Sequence, residues 1–121
     1  MLVSPLTFAF LIACAPKMGA AGAPKGVDLD HYAGVWEDSG GAITVIERSK
    51  NSLAVMSVVD YDDEFFEIKS FGWEGDVFGW DYHVPSTGYD VQIRVLSTDG
   101  NNMMTSWANA FDDGQEGLVR Q

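Results

Sequence analysis

The side chains able to do chemistry in this 121-residue chain are few and scattered. It contains one cysteine, Cys14, and two histidines, His31 and His83. Asp81 and His83 stand two residues apart in "WDYHV", which places both on one face of a strand and suits a pair of metal ligands. A catalytic zinc site takes three protein ligands, and the other histidine lies far away in sequence, so no metal role is assigned. "DYDDE", residues 60 to 64, offers oxygen ligands in a turn, but it lacks the glycine and spacing of the calcium-binding loop. A solvated acidic hairpin is expected there. No Gly-x-Ser-x-Gly elbow and no phosphate-cradling glycine loop occur, and two histidines without a nucleophile partner make no triad. The chain is expected not to be an enzyme and to carry no cofactor.

Aromatic surface is what the sequence concentrates instead. "FGWEGDVFGWDYHVP" brings Trp73, Phe78, Trp80 and Tyr82 close together, and Trp107 follows on a later segment. These rings suit a pocket for a small apolar ligand, with the Trp and Tyr polar edges fixing its orientation. They suit equally the filled interior of a small barrel. Gly72 and Gly79 interrupt the run, and glycine within a strand marks a bulge, a bend or a close backbone approach. Arg94, between Gln92 and Leu96, would meet an acidic ligand at a barrel mouth or stand solvated on the surface.

The elements that must carry these residues are strands. Turn signals recur at 39–41, 50, 60–64, 74–76, 85–88, 99–102 and 112–114, rich in Gly, Asn, Asp and Pro. Between them lie eight short segments of Val, Ile, Thr, Phe, Tyr and Trp, the pattern of a β-sandwich or barrel. In "VFGWDYHV" Phe78, Trp80, Tyr82 and Val84 share one face; in "GYDVQIRVLS" Tyr89, Val91, Ile93 and Val95 do the same. Alternation of this kind means half-buried antiparallel strands. "SLAVMSVV", residues 52 to 59, is apolar on both faces, so its inward side stays open. Only a short helical turn near "DLDHY" is expected. Eight strands with short links close as an antiparallel up-and-down barrel, which removes exposed edges.

"DLDHYAGVW", residues 28 to 36, resembles the opening of the lipocalins, where a short turn with an aromatic residue leads into Gly-x-Trp on the first strand. Avidin-like and other small barrels share Gly-x-Trp. The resemblance implies a lipocalin-like or calycin-like barrel with Gly34 and Trp36 at its closed end. It also implies a basic residue late in the chain, here Arg120, packed across the indole.

The beginning of the chain suggests an address. "MLVSPLTFAFLIA", residues 1–13, is uncharged and mostly apolar, too short for an ordinary bilayer span of about 20 residues. It suits the core of an export signal. No Lys or Arg precedes it, so the positive charge expected there comes from the amino group or from residues upstream. Leu11-Ile12-Ala13-Cys14 resembles the bacterial lipobox, which implies cleavage before Cys14, a diacylglycerol thioether on its sulfur and membrane attachment through acyl chains. Ala15 stands where the family's inner-membrane retention signal has Asp, which implies the outer membrane, facing the periplasm. Residues 14–26 then read as a lipidated Cys and flexible Ala/Gly/Pro/Lys tether, and 27–121 as one small β-barrel domain.

Charge narrows the partners. The formal net charge is -11, and without Lys17 and Lys25 it is -13 over residues 27–121. Such acidity argues against nucleic acid, whose phosphates demand Lys and Arg. It steers basic partners at long range. The sequence therefore carries two functional expectations. The first is a lipid-anchored, non-enzymatic envelope protein whose barrel binds a small apolar ligand. The second is an acidic, inhibitory protein-binding module, of the kind that small β-barrel lysozyme inhibitors represent, recognising a basic protein.

Overall fold

The computed structural model describes residues 22–121; residues 1–13, read above as an export signal, and Cys14 lie outside them. Eight strands follow in order: β1 (Gly34–Asp38), β2 (Ile43–Ser49), β3 (Ser52–Val59), β4 (Glu67–Glu74), β5 (Val77–Val84), β6 (Tyr89–Asp99), β7 (Asn102–Ala108) and β8 (Asp113–Arg120). All pair antiparallel in one sheet, ordered β3-β2-β1-β8-β7-β6-β5-β4. Every neighbour is consecutive except β1 and β8, whose pairing of Trp36 with Arg120 curls the sheet round. The seam falls between β3 and β4, where a single bridge, Val59 to Phe65, and the Phe66 N–H on the Val58 carbonyl at 2.9 Å join the edges. The result is the expected all-β, nearly closed up-and-down barrel, and its shape fits a lipocalin-like fold.

The two ends differ because their turns differ. At one end β2–β3, β4–β5 and β6–β7 are joined by two residues each, with Lys50, Gly75 and Gly100 at positive φ. Two-residue reversals need that backbone region, which glycine enters without strain. At the other end the links are longer: 39–42, 60–66, 85–88 and 109–112. The short-turn end is also plugged. A 3-10 turn, Leu29–His31, is capped by the Asp28 carboxylate accepting from the Asp30 N–H at 3.0 Å, and it sinks Leu29 into the core. Residues 22–26, which composition assigns to the tether, run along this end. The Ala23 N–H donates to the Asn51 carbonyl at 3.2 Å, and Ala23 and Val27 pack on the core.

Three register shifts decide what points inward. Opposite Val45/Ile46, strand β3 holds one extra residue, Met56, so Leu53, Val55 and Val58 all turn in while Met56 is 54% exposed. Lys69 in β4 and Leu96 in β6 are extra in the same way. A bulge of this kind changes the phase of alternation within one strand. That is why 52–59 looked apolar on both faces.

Candidate functional site

The barrel interior divides into a solid half and a hollow one. Toward the closed end, Trp36, Trp73, Phe78, Ile46 and Met103 are buried together. Tyr32, just after the 3-10 turn, meets the Trp73 ring edge-on at 5.4 Å and Phe78 at 6.1 Å, and Trp73 and Phe78 lie 5.2 Å apart. Trp73 and Phe78, candidates for a ligand pocket on sequence grounds, thus fill the barrel instead of lining a cavity. The reason is the plug, which brings Tyr32 down onto both rings.

Gly34, Trp36 and Arg120 form the lock on this end. The Arg120 guanidinium lies over the Trp36 ring, 4.4 Å from its centroid. It donates to the carbonyls of Ala33 and Asp30, while Trp36 Nε1 donates to the Tyr32 carbonyl at 2.9 Å. Gly34 has φ +143°, and a Cβ there would stand 2.6 Å from Arg120 Nη1. These contacts tie the 3-10 turn, β1 and β8 together at this end.

Toward the long-loop end a cavity of about 250 Å3 opens among the inward side chains. One wall is aromatic, made of Trp80 and Tyr82 from β5 and Trp107 from β7. Trp107 lies flat over its cross-strand partner Gly114, where a Cβ would come within 3.0 Å of the indole. Val58, Val91, Ile93 and Leu118 supply aliphatic surface. The remaining wall is polar: Asp38, Thr44, Thr105 and Glu116. Tyr82 also stacks on Phe66 at 4.9 Å, beside the seam.

The polar wall is preorganised. Asp38 Oδ1 accepts from the backbone N–H groups of Gly40 and Ala42, both at 2.9 Å. Glu116 Oε2 accepts from the Ser39 N–H at 3.0 Å and the Ser39 hydroxyl at 2.5 Å. Each carboxylate is therefore fixed through one oxygen, and among the described residues Asp38 Oδ2 and Glu116 Oε1 have no protein donor. Burial, reinforced by the carboxylates of Asp38 and Asp60, pushes the Tyr82 pKa up to about 12. Trp80 is 1% exposed, and its Nε1 is buried with no hydrogen-bond partner. Neither Asp38 nor Glu116 stands out in the sequence, because the chain is acidic throughout.

The other singled-out residues lie elsewhere. Arg94 is on the outer face, laid over Gly79 and paired with Asp81 at 3.1 Å and Glu74 at 3.5 Å. Asp81 and His83 do not converge: Asp81 faces Arg94, and His83 Nδ1 pairs with Asp90 at 2.8 Å. Asp60, Asp62 and Glu64 bring ligand atoms within 4.8 Å of one another. Both oxygens of Glu64 already accept from Ser86, however, and Asp60 Oδ1 accepts from the Tyr61 N–H. Outside the mouth, a groove of about 590 Å3 runs between the β5–β6 turn and loop 109–112, beneath the paired rings of Tyr89 and Phe111. It is larger than the interior cavity and shares Tyr82 and Val91 with it. The interior cavity has convergent walls and fixed polar groups, which are the marks of a binding site. Compared with known protein families, curated proteins and solved structures, the chain matches none.

Proposed function

We infer that this protein is a non-enzymatic binding protein whose barrel cavity holds a small, partly apolar molecule. One observation carries the reading: the space of about 250 Å3 inside the barrel, walled by Trp80, Tyr82 and Trp107. It would take about eight waters, counting roughly 30 Å3 for each, so the occupant is small or inserts only one end. The test is a titration with hexan-1-ol followed by tryptophan fluorescence and amide NMR shifts. Saturable changes clustered on Trp80, Val91 and Trp107 are expected, and Val91→Phe, which fills the space, should abolish them while the strand signature in circular dichroism persists. An unresponsive protein would end the reading. The Gly34, Trp36 and Arg120 arrangement supports a lipocalin-like ancestry.

The lipobox resemblance supports attachment to the outer membrane through acyl chains on Cys14, facing the periplasm. Because residues 22–26 run along the closed end, such an anchor joins the barrel opposite its mouth and leaves the cavity entrance free. Mass spectrometry of the bacterially expressed chain should find a processed Cys14 carrying a diacylglycerol thioether, and Cys14→Ser should lose both the acyl mass and the cleavage before residue 14. A membrane-bound chain with an unmodified Cys14 would refute lipid anchoring. A second reading, docking of a basic protein, is supported by the mouth loops. Tyr61, Phe65, Tyr89 and Phe111 are exposed there among carboxylates, and salt-sensitive capture of a basic protein is its signature.

A further inference from the structure

We propose that the cavity takes a small organic cation, an amine or quaternary ammonium, held between the rings of Trp80, Tyr82 and Trp107 and the carboxylates of Asp38 and Glu116. This rests on the cavity-binding reading above and adds the charge class of the occupant.

Two observations converge on it. The first is the make-up of the walls. Aromatic faces attract cations through the ring quadrupole, most strongly when the site is desolvated, and here they meet two carboxylates with an oxygen to spare. No Lys or Arg among the described residues lines the space. The second is the field at the entrance. Loops 60–66 and 109–112 carry Asp60, Asp62, Asp63, Glu64 and Asp112 and no basic residue. The Lys and Arg of the described residues lie away from the cavity: Lys25, Arg48, Lys50 and Arg120 are at the closed end, and Arg94 and Lys69 pair with acids on the outer face. A cleft of one sign raises the local concentration of the opposite one. An anionic headgroup such as a fatty-acid carboxylate would be repelled along the same path.

The occupant so described has a positive head and a short apolar body.

A matched trio tests this: choline, its neutral isostere 3,3-dimethylbutan-1-ol, and the anion 3,3-dimethylbutanoate, each titrated by amide NMR shifts into the millimolar range. Choline is expected to bind about 3- to 30-fold tighter than the alcohol, with the anion weakest. The double variant Asp38→Asn/Glu116→Gln should bring the ratio of choline to alcohol affinity close to one, and that ratio, measured on the same protein, is the quantity read. Equal affinity for choline and the alcohol overturns the proposal and leaves the cavity reading intact. Failure of all three, and of hexan-1-ol, overturns both. Binding of poly-lysine with no response to choline also overturns it, in favour of a basic polypeptide at the mouth.

Discussion

Arg120 and Trp36, paired across β8 and β1, close the barrel by stacking guanidinium on indole at 4.4 Å. The contact adds to the ladder between the first and last strands, in which Glu37 also pairs with Val119 and Asp38 with Leu118. A cation–π contact contributes about 0.5–2 kcal/mol, and charge-assisted hydrogen bonds such as those to Ala33 and Asp30 contribute about 1.5–3 kcal/mol each. Because Arg120 is only partly buried, the low ends of these ranges apply, and Arg120→Ala should lower unfolding stability by about 3–4 kcal/mol in urea denaturation, with Arg120→Lys between it and wild type. Gly34→Ala should be at least as harmful, since its Cβ meets the guanidinium from a positive-φ backbone. A change below about 0.5 kcal/mol, typical of neutral surface substitutions, would show that the stack does not close the barrel.

Tyr82 predicts a pH dependence. Its pKa near 12 in the folded protein exceeds the ordinary tyrosine value of about 10. Below pH 10 both folded and unfolded chains keep the proton. Between pH 10 and 12 the unfolded chain releases it and the folded one does not, so stability falls as pH rises. One proton of difference gives a slope of up to about 1.4 kcal/mol per pH unit. Tyr82→Phe should lose the late step of the tyrosinate absorbance titration at 295 nm and show a shallower alkaline loss of stability. Tyr32 is also raised, by burial and then Asp76, so the wild-type-minus-variant difference is the measurement to read. An unchanged difference spectrum between pH 10 and 12 would contradict the placement of Tyr82 among Asp38 and Asp60.

Most of the architecture is legible in the sequence because the turn residues and the alternation agree. Phe78, Trp80, Tyr82 and Val84 alternate without a bulge in β5, and they do face inward. Where an extra residue intrudes, at Met56, Lys69 or Leu96, alternation changes phase and a period-two reading fails: beyond Leu96 it is Thr98, paired with the buried Met103, that takes the inward side in place of Ser97. The aromatic wall is legible in part. Trp80, Tyr82 and Trp107 line the cavity, but nothing in the sequence reveals that Tyr32 reaches Trp73 and Phe78 and makes that half solid. Asp38 and Glu116 are hidden for another reason: a pair of inward carboxylates has no signature in a chain this acidic.

Gly79 shows how a missing side chain lets the neighbouring strand and the outer-face Arg94 approach closely. An added Cβ would stand 2.5 Å from the Ile93 carbonyl oxygen and 2.6 Å from Arg94 Cδ. The carbonyl belongs to the neighbouring strand and cannot rotate aside as a side chain can. Gly79→Ala should therefore force β5 and β6 apart, costing about 1–3 kcal/mol as overpacking typically does. It should also release Arg94 from Asp81, because the guanidinium lies where the methyl would go. Thermal melting checks the first effect, and loss of coupling in an Arg94→Gln/Asp81→Asn double-mutant cycle on the Gly79→Ala background checks the second. Full stability in the variant would mean that the strands separate there at no cost.

Gly114 offers a way to move one wall of the cavity without touching its polar groups. Its absent side chain leaves the shelf on which the Trp107 ring rests, with Cζ2 at 2.9 Å from any added Cβ. The ring is held by packing alone, since no hydrogen bond to its Nε1 occurs among the described residues. Gly114→Ala should lift the indole into the space bounded by Tyr82, Val91 and Thr105. Two outcomes are expected together: a shift in the tryptophan emission maximum, and weaker binding of hexan-1-ol, with stability reduced by about 1–3 kcal/mol as for other overpacked sites. Trp107→Phe on the same background should restore the volume and with it the affinity. If Gly114→Ala leaves both emission and affinity unchanged, Trp107 is not a wall of the binding space, and the aromatic side of the site reduces to Trp80 and Tyr82.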